Sequence, residues 1–263
     1  MQNKLSLGLT VLSANSMRPK AEDVFDTDAH ALFARMNVQP NAARKNAINT
    51  LITSLKSSGV WASLDYFYML AAHTAQAARL NWVANDELLA VGAPVVTPDR
   101  GVKGDGVAAY LELPFNQASL AKAQQNNASW LLGVRSEGAT NRFLIGAASA
   151  IRFSFSPAAT GINVRNTQGA SNDTVDCPRT GRFGSTRAGA SVHTIYRNGS
   201  SVMSSSTPSV AAASSSMFIL RGGTLCSDGD VTYCAGGAGL TPQQQIDTDA
   251  ALVTYLTALG ALY

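Results

Sequence analysis

Short apolar segments separated by turn residues fill the second half of the chain, and this spacing limits the fold more than any other feature. Beyond Pro94, each segment is bounded by Gly, Asn, Pro or Asp. Evenly spaced short strands with such residues between them are typical of antiparallel sandwiches and barrels. The predicted strands are residues 109–113, 129–134, 142–147, 151–155, 161–165, 182–187, 191–196, 218–221 and 231–235.

Two dipeptides predict tight turns beside these strands. Asn198-Gly199 follows one predicted strand, and Asp228-Gly229 precedes the last one. Asn, Asp and Gly tolerate the positive φ that a type I′ hairpin turn requires. A mainly β fold is therefore predicted, and 46% hydrophobic residues are enough for a substantial core.

Helical patterns precede the β region. Apolar residues at helical spacing in 22–36 and 43–55 predict two amphipathic helices, separated at Pro40-Asn41 and ended at Gly59. The segment 61–83 is dense in aromatic residues and alanine, and we interpret it as a helix packed against a sheet. An N-terminal helical segment is thus expected in front of the sandwich.

A C-terminal helix is predicted from its end signals. Thr241 is placed to cap it, Pro242 occupies its first position and Gly260 ends it. Such a helix is expected to cover an edge or a face of the sandwich. Its predicted buried face consists of Ile246, Leu252, Val253, Leu256 and Leu259.

The first 18 residues alternate apolar and polar side chains at Leu5, Leu7, Leu9 and Val11. Alternation of period two favours an extended arm, and an apolar arm is expected to dock on another subunit. The segment lacks the long apolar core of a secretory signal, and no stretch approaches the length that spans a bilayer. Synthesis in a cytoplasm, without membrane insertion, is therefore expected.

The charge pattern argues against a nucleic-acid partner. Charged residues make up 14% of the chain, and the net charge is +3. The excess is spread as single arginines in the C-terminal part, without a run of Lys or Arg. No nucleic-acid contact is predicted.

Five segments occur in an order that resembles the concanavalin A-like lectin/glucanase (laminin G-like) jelly rolls of tailed-bacteriophage structural proteins. They are WASLDYFYMLAAHTAQAARLNWV, DRGVKGDGVAAYLELPF, VHTIYRNGS, FILRGG and LTPQQQIDTDAALVTYLTALG. The resemblance covers residues 59–263 and implies a jelly-roll β-sandwich with a closing C-terminal helix. Residues 1–58 lie outside it and are interpreted as an arm and helical attachment segment.

The resemblance implies a virion protein displayed as a tail fibre, spike or capsid decoration. Its partners would be other virion proteins, bound through the N-terminal arm. A homo-oligomer such as a trimer would suit a fibre or spike, although the sequence has no heptad run.

Glucanases of this fold need paired carboxylates on one strand, and this pattern is missing. Of the four glutamates, only Glu112 lies in a predicted strand, and it has no carboxylate two residues away. His30, His73 and His193 lack metal-ligand spacing, and no G-x-S-x-G motif occurs. A non-enzymatic protein is predicted, with a glycoside hydrolase as the disfavoured alternative.

Binding of a host-surface glycan is the second functional hypothesis, since binding residues gather in loops at strand ends. The candidate residues are Arg135, Asn141, Arg142, Tyr196 and Asn198, with ordinary surface positions as the alternative.

Two further features leave alternatives open. Asp228-Gly229-Asp230, or Asn172-Asp173 with Asp176, offers oxygen ligands for calcium, although plain turns explain both equally well. Cys226 and Cys234 flank a turn, so that a disulfide between facing strands and two buried free thiols are both open.

Overall fold

Two antiparallel sheets packed face to face, with helices outside one of them, make up the protein. The structure is a computed structural model that describes residues 25–139, 143–147, 150–155, 161–169 and 171–263. The helices are α1 (Thr27–Ala34), α2 (Ala42–Ser57), α3 (Val60–Ser63), α4 (Ala75–Arg79) and α5 (Pro242–Ala258). The predicted mainly β architecture is confirmed.

All nine predicted strands are present, and the described part of the chain contains eight further strands. The strands are β1 (Leu64–Met69), β2 (Leu89–Val91), β3 (Val95–Thr97), β4 (Gly101–Lys103), β5 (Tyr110–Asn116), β6 (Ala128–Ser136), β7 (Phe143–Ala147), β8 (Ile151–Phe155), β9 (Ile162–Asn166), β10 (Asp173–Val175), β11 (Gly181–Gly189), β12 (Val192–Arg197), β13 (Ser200–Ser205), β14 (Ser216–Ile219), β15 (Arg221–Gly222), β16 (Leu225–Cys226) and β17 (Asp230–Gly237).

The strand order defines the sandwich. The eight-stranded sheet runs β13-β12-β11-β6-β17, and the far edge of β17 pairs with both β4 and β1, while β3 pairs with β4. The seven-stranded sheet runs β10-β9-β8-β7-β14-β5-β2. The short β15–β16 hairpin forms a separate pair.

One predicted turn is confirmed and the other differs. Asn198 and Gly199 have φ of +49° and +76°, as the type I′ prediction requires. Asp228 and Gly229 are not among the positive-φ residues of the described chain, so the second prediction is wrong. A Cβ on Gly229 would lie 2.6 Å from Leu144 Cδ2, so this glycine permits close packing instead.

The central strands of the eight-stranded sheet are buried on both faces, which creates two cores. Trp130, Leu132 and Val134 of β6 face the seven-stranded sheet, whereas Leu131 faces the helices. The sequence of such a strand is a nearly continuous apolar run, because neither face is in contact with water.

This two-sided burial explains why the helix predicted for residues 61–83 is wrong. The segment instead forms α3, the strand β1 and the short α4. Along β1, Phe67 and Met69 enter the helical core, while Tyr66 and Tyr68 enter the core between the sheets. From Tyr66 to Met69 both faces of β1 are buried, so aromatic and apolar residues follow one another without the period-two alternation.

The predicted helices before residue 59 are confirmed as α1 and α2, and they belong to the same core as the sheet. Leu32 and Leu51 pack in one cluster with Leu131 of β6 and Leu252 of α5. Packing therefore continues across residue 58, where the sequence suggested a boundary. No described helix has the length and apolar character of a membrane span.

The cysteines do not form the bridge that their spacing left open. Cys234 lies within β17, in register with Leu132 on one side and Tyr68 on the other. Cys226 pairs with Arg221 in the β15–β16 hairpin. Cys177, Cys226 and Cys234 are free thiols, and burial raises the pKa of Cys234.

Candidate functional site

An open groove lies between the β12–β13 hairpin and the first half of α5. Its volume is about 740 Å³, within the ~300–1,000 Å³ range of small-molecule sites. Thr194, Ser201 and Ser204 line it on the hairpin side. Pro242, Ile246 and Ala250 line it on the helix side. We call it the hairpin groove.

Register places the hydroxyls on one face of the hairpin. Thr194 pairs with Ser204, and Tyr196 pairs with Ser201, so all four side chains project to the same side of β12 and β13. The type I′ turn at Asn198 keeps the two strands together. The side-chain Oδ1 of Asn198 accepts a hydrogen bond of 2.9 Å from the backbone N–H of Arg182.

An ion pair and a capping box fix α5 beside the hairpin. Arg182 of β11 binds Asp249 of α5 through two hydrogen bonds, Nε to Oδ1 at 2.7 Å and the terminal nitrogen to Oδ2 at 3.0 Å. Gln245 donates to Thr186 Oγ1 at 2.7 Å. As predicted, Thr241 caps α5. These contacts therefore hold α5 against β11, next to the hairpin.

Two of the five predicted binding residues line the groove, namely Tyr196 and Asn198. Arg135 is not among the lining residues, and its guanidinium forms an ion pair with Asp230. Asn141 and Arg142 lie outside the described residues. Of the described candidates, the structure therefore places Tyr196 and Asn198 in one groove and Arg135 outside it.

Ile246 was predicted to be buried but is 49% exposed. The buried face of α5 consists of Gln245, Thr248, Leu252, Tyr255 and Leu256. Two polar residues, Gln245 and Thr248, belong to this buried face because they contact the sheet. The buried face of α5 is therefore rotated relative to the face that its apolar residues alone predicted. This rotation turns Ile246 into the groove.

A buried polar network occupies the neighbouring edge of the sandwich. Asp173 of β10 binds His193 Nδ1 at 2.6 Å, and His193 Nε2 lies 2.7 Å from Ser185 Oγ. Ser205 and Thr207 donate to the second oxygen of Asp173 at 2.7 and 2.9 Å. The network joins the edge strands of both sheets.

The order Ser185–His193–Asp173 matches that of a nucleophile, a base and an orienting carboxylate. However, these residues are 0%, 1% and 4% exposed, respectively. A substrate would not reach the serine hydroxyl in this conformation. We therefore interpret the network as a structural link between the sheets. Sequence spacing did not reveal it, because its members come from four strands and the segment after β13.

Asp173 was one of the predicted calcium ligands. Its carboxylate instead accepts hydrogen bonds from protein donors, including Gln168 Nε2 at 2.6 Å. No group of three or more His, Cys, Asp or Glu suited to a metal occurs among the described residues.

Burial determines the protonation of the network. It lowers the pKa of His193 below the usual 6.5, and Asp173 offsets this only in part. Burial alone would raise the pKa of Asp173, but hydrogen bonds, the largest from Ser205, lower it below 3.8. The neutral imidazole beside an ionised carboxylate is therefore favoured.

Stability is expected to fall as the pH drops below 6.5. In that range the unfolded chain takes up a proton at His193 that the folded protein resists, so acid favours unfolding. Urea unfolding at pH 7.5 and 5.5 measures the loss, which should shrink in His193→Gln. His30→Gln, at an exposed histidine, serves as the control. Equal acid losses in wild type and His193→Gln would contradict the assignment.

Comparisons with known proteins support the fold but not a family. No family model matches the chain. No curated protein matches it. Among solved structures, Trypanosoma rangeli sialidase has a TM-score of 0.55 at 12% identity, covering 80% of this chain and 39% of the sialidase.

Two further structures match the chain at low identity. The HCR/D F1240A mutant has a TM-score of 0.54 at 9% identity, covering 73% of this chain and 52% of that one. Domain 4 of AbnA, an extracellular arabinanase from Geobacillus stearothermophilus, has a TM-score of 0.46 at 14% identity, covering 71% and 98%. The chain is a mainly β sandwich protein, and it spans less than half of the sialidase.

Proposed function

We propose that this chain is a non-catalytic structural protein of a tailed-bacteriophage virion. It is attached through its N-terminal segment and displays the sandwich as a fibre, spike or capsid decoration. The five ordered segments in residues 59–263 support this proposal, and so does the sandwich itself. Because α1 and α2 pack into the core, we propose that attachment is made by residues 1–24, which include the apolar alternation, and not by the helices.

Two observations support the proposal that the protein is not a catalyst. Glu112 has Leu89 and Phe218 as its cross-strand neighbours, not the second carboxylate that glycoside hydrolysis needs. Ser185 is enclosed within the sandwich.

Removal of residues 1–24 is expected to abolish incorporation into particles without unfolding the sandwich. The test complements a phage whose own copy of the gene is disrupted, using the full chain or a chain that starts at Phe25. Mass spectrometry of purified particles should detect only the full chain, while circular dichroism shows equal melting of both. Absence of the full chain from particles would overturn the virion proposal, and incorporation of the shortened chain would overturn attachment through residues 1–24.

A homo-oligomer, such as a trimer, would suit a fibre or spike and stays a prediction. Light scattering of the purified full chain measures its mass against the 27.5 kDa monomer.

The hairpin groove favours a second role, binding of a host-surface glycan by the displayed domain. It combines exposed hydroxyls with an exposed apolar side chain, Ile246, and sugars present both hydroxyls and apolar C–H faces. The Arg182–Asp249 pair holds α5, the helix side of the groove, against β11. A wall held in place before binding lowers the ordering cost of binding.

Ile246→Ser is expected to weaken binding to host envelope polysaccharide about tenfold, because one buried apolar contact contributes about 1 to 2 kcal/mol. Biolayer interferometry with the full chain measures the affinity. Leu225→Ser is the matched control, since Leu225 is 46% exposed and lies outside the groove. Equal affinity of both variants, or no binding by wild type, would contradict this role.

A further inference from the structure

The hairpin groove lacks a cation, although the protein as a whole is basic. The chain has 20 Lys and Arg against 17 Asp and Glu. Among the described residues that line the groove, Asp249 is the only one with a formal charge. A carboxylate or sulfate on a sugar would therefore meet no lysine, arginine or histidine along the walls.

The guanidinium of Arg182, which binds the groove residue Asp249, is already engaged. Arg182 binds both oxygens of Asp249, and its side chain is only 11% exposed. Planar two-point pairing of this kind satisfies both partners. An anionic ligand would have to displace Asp249 to reach Arg182, and this would break the ion pair between α5 and β11.

The hairpin wall offers neutral hydrogen-bonding groups. Ser201 and Ser204 are exposed and Thr194 is half-buried. Hydroxyls both donate and accept hydrogen bonds, so they match sugar hydroxyls of either role. Asn198 adds an exposed amide at the turn, whose N–H groups donate while Oδ1 is engaged with Arg182.

The helix wall offers an apolar surface opposite these groups. Ile246 is 49% exposed, and Pro242 and Ala250 flank it along α5. The ring of Tyr196, 6% exposed, also borders the groove. One wall therefore suits the polar edge of a pyranose, and the other suits its C–H face.

We propose that the hairpin groove selects neutral hexose-containing glycans and discriminates against sugars that carry a carboxylate. This rests on the proposed glycan-binding role of the same groove and specifies its ligand class. The physical reason is that burying an anion without a cationic partner costs free energy, whereas neutral hydroxyls exchange water for the groove's own hydroxyls at little cost.

The test uses the full chain and matched pairs of oligosaccharides. Each pair contains a neutral oligosaccharide and the same compound with a terminal sialic or uronic acid. Titration calorimetry is expected to show binding of at least one neutral member, at least tenfold tighter than its acidic counterpart. Thr194→Val, which removes a hydroxyl and keeps the shape, should weaken the neutral member severalfold, whereas Leu225→Ser should leave it unchanged.

Ser204→Lys supplies the missing cation and tests the cause of the selectivity. It is expected to reduce the preference for the neutral member at low salt, and high salt should restore it. An unchanged preference in Ser204→Lys would overturn the electrostatic explanation. Equal or tighter wild-type binding of the acidic members, lost in Ile246→Ser, would overturn the ligand class but keep the glycan-binding role. No binding of any pair, and none of host polysaccharide, would overturn both.

Discussion

Replacement of Asp173 by alanine is expected to lower the free energy of unfolding by about 3 to 5 kcal/mol. The carboxylate is 5% exposed and accepts hydrogen bonds from His193, Ser205, Thr207 and Gln168. Its removal leaves these donors buried without an acceptor, and each such group costs about 1 to 3 kcal/mol. Because Asp173 lies on one sheet and His193 on the other, the loss weakens the contact between them.

Urea unfolding followed by circular dichroism measures this loss. Asp173→Asn keeps one acceptor oxygen and should lose roughly half as much. Asp247→Ala is the control, since its carboxylate receives a hydrogen bond from Gln243 on the surface of α5, and it should change stability by less than about 0.5 kcal/mol. An unfolding midpoint of Asp173→Ala equal to that of wild type would refute the structural role of the network.

Trp130→Ala is the second large expected effect, a loss of about 3 to 5 kcal/mol. Trp130 is 1% exposed and packs edge-on against Phe153 across the sandwich, with ring centroids 5.7 Å apart. Its indole N–H also donates to the carbonyl of Arg165 at 3.1 Å. Alanine would therefore leave a cavity between the sheets and remove the hydrogen bond to Arg165.

Trp130→Phe separates these two contributions. It keeps an aromatic ring against Phe153 but lacks the indole N–H, so a loss of about 1 to 3 kcal/mol is expected. Val107→Ala, at a residue that is 79% exposed, should be close to neutral. A Trp130→Ala protein as stable as Val107→Ala would show that the core between the sheets does not depend on this side chain.

Local signals predicted much of the fold because they act within a few residues. The positive φ of Asn198-Gly199 sets the β12–β13 hairpin, and Thr241 with Pro242 starts α5. Short apolar segments between turn residues identified strands such as β8, with the same bounds as predicted. These features need no knowledge of distant neighbours.

The candidate site was predictable only in part. Tyr196 and Asn198 were selected because they stand at a strand end, and both line the groove. The opposite wall comes from Ile246 and Asp249, about 50 residues further along the chain. Nothing in the sequence near Tyr196 indicates that α5 lies there, since the contact depends on the Arg182–Asp249 pair.

By itself, the sequence determined the turn at Asn198-Gly199, the start of α5 and the succession of short strands beyond Pro94. Only the tertiary structure decided which faces are buried. Leu64 to Met69 became a strand because helices cover one side of it and a second sheet covers the other. Burial depends on segments that are distant in the sequence, so residues with the same local pattern can have different surroundings. Both the groove and the Asp173 network therefore form only when the two sheets and the helices have packed together.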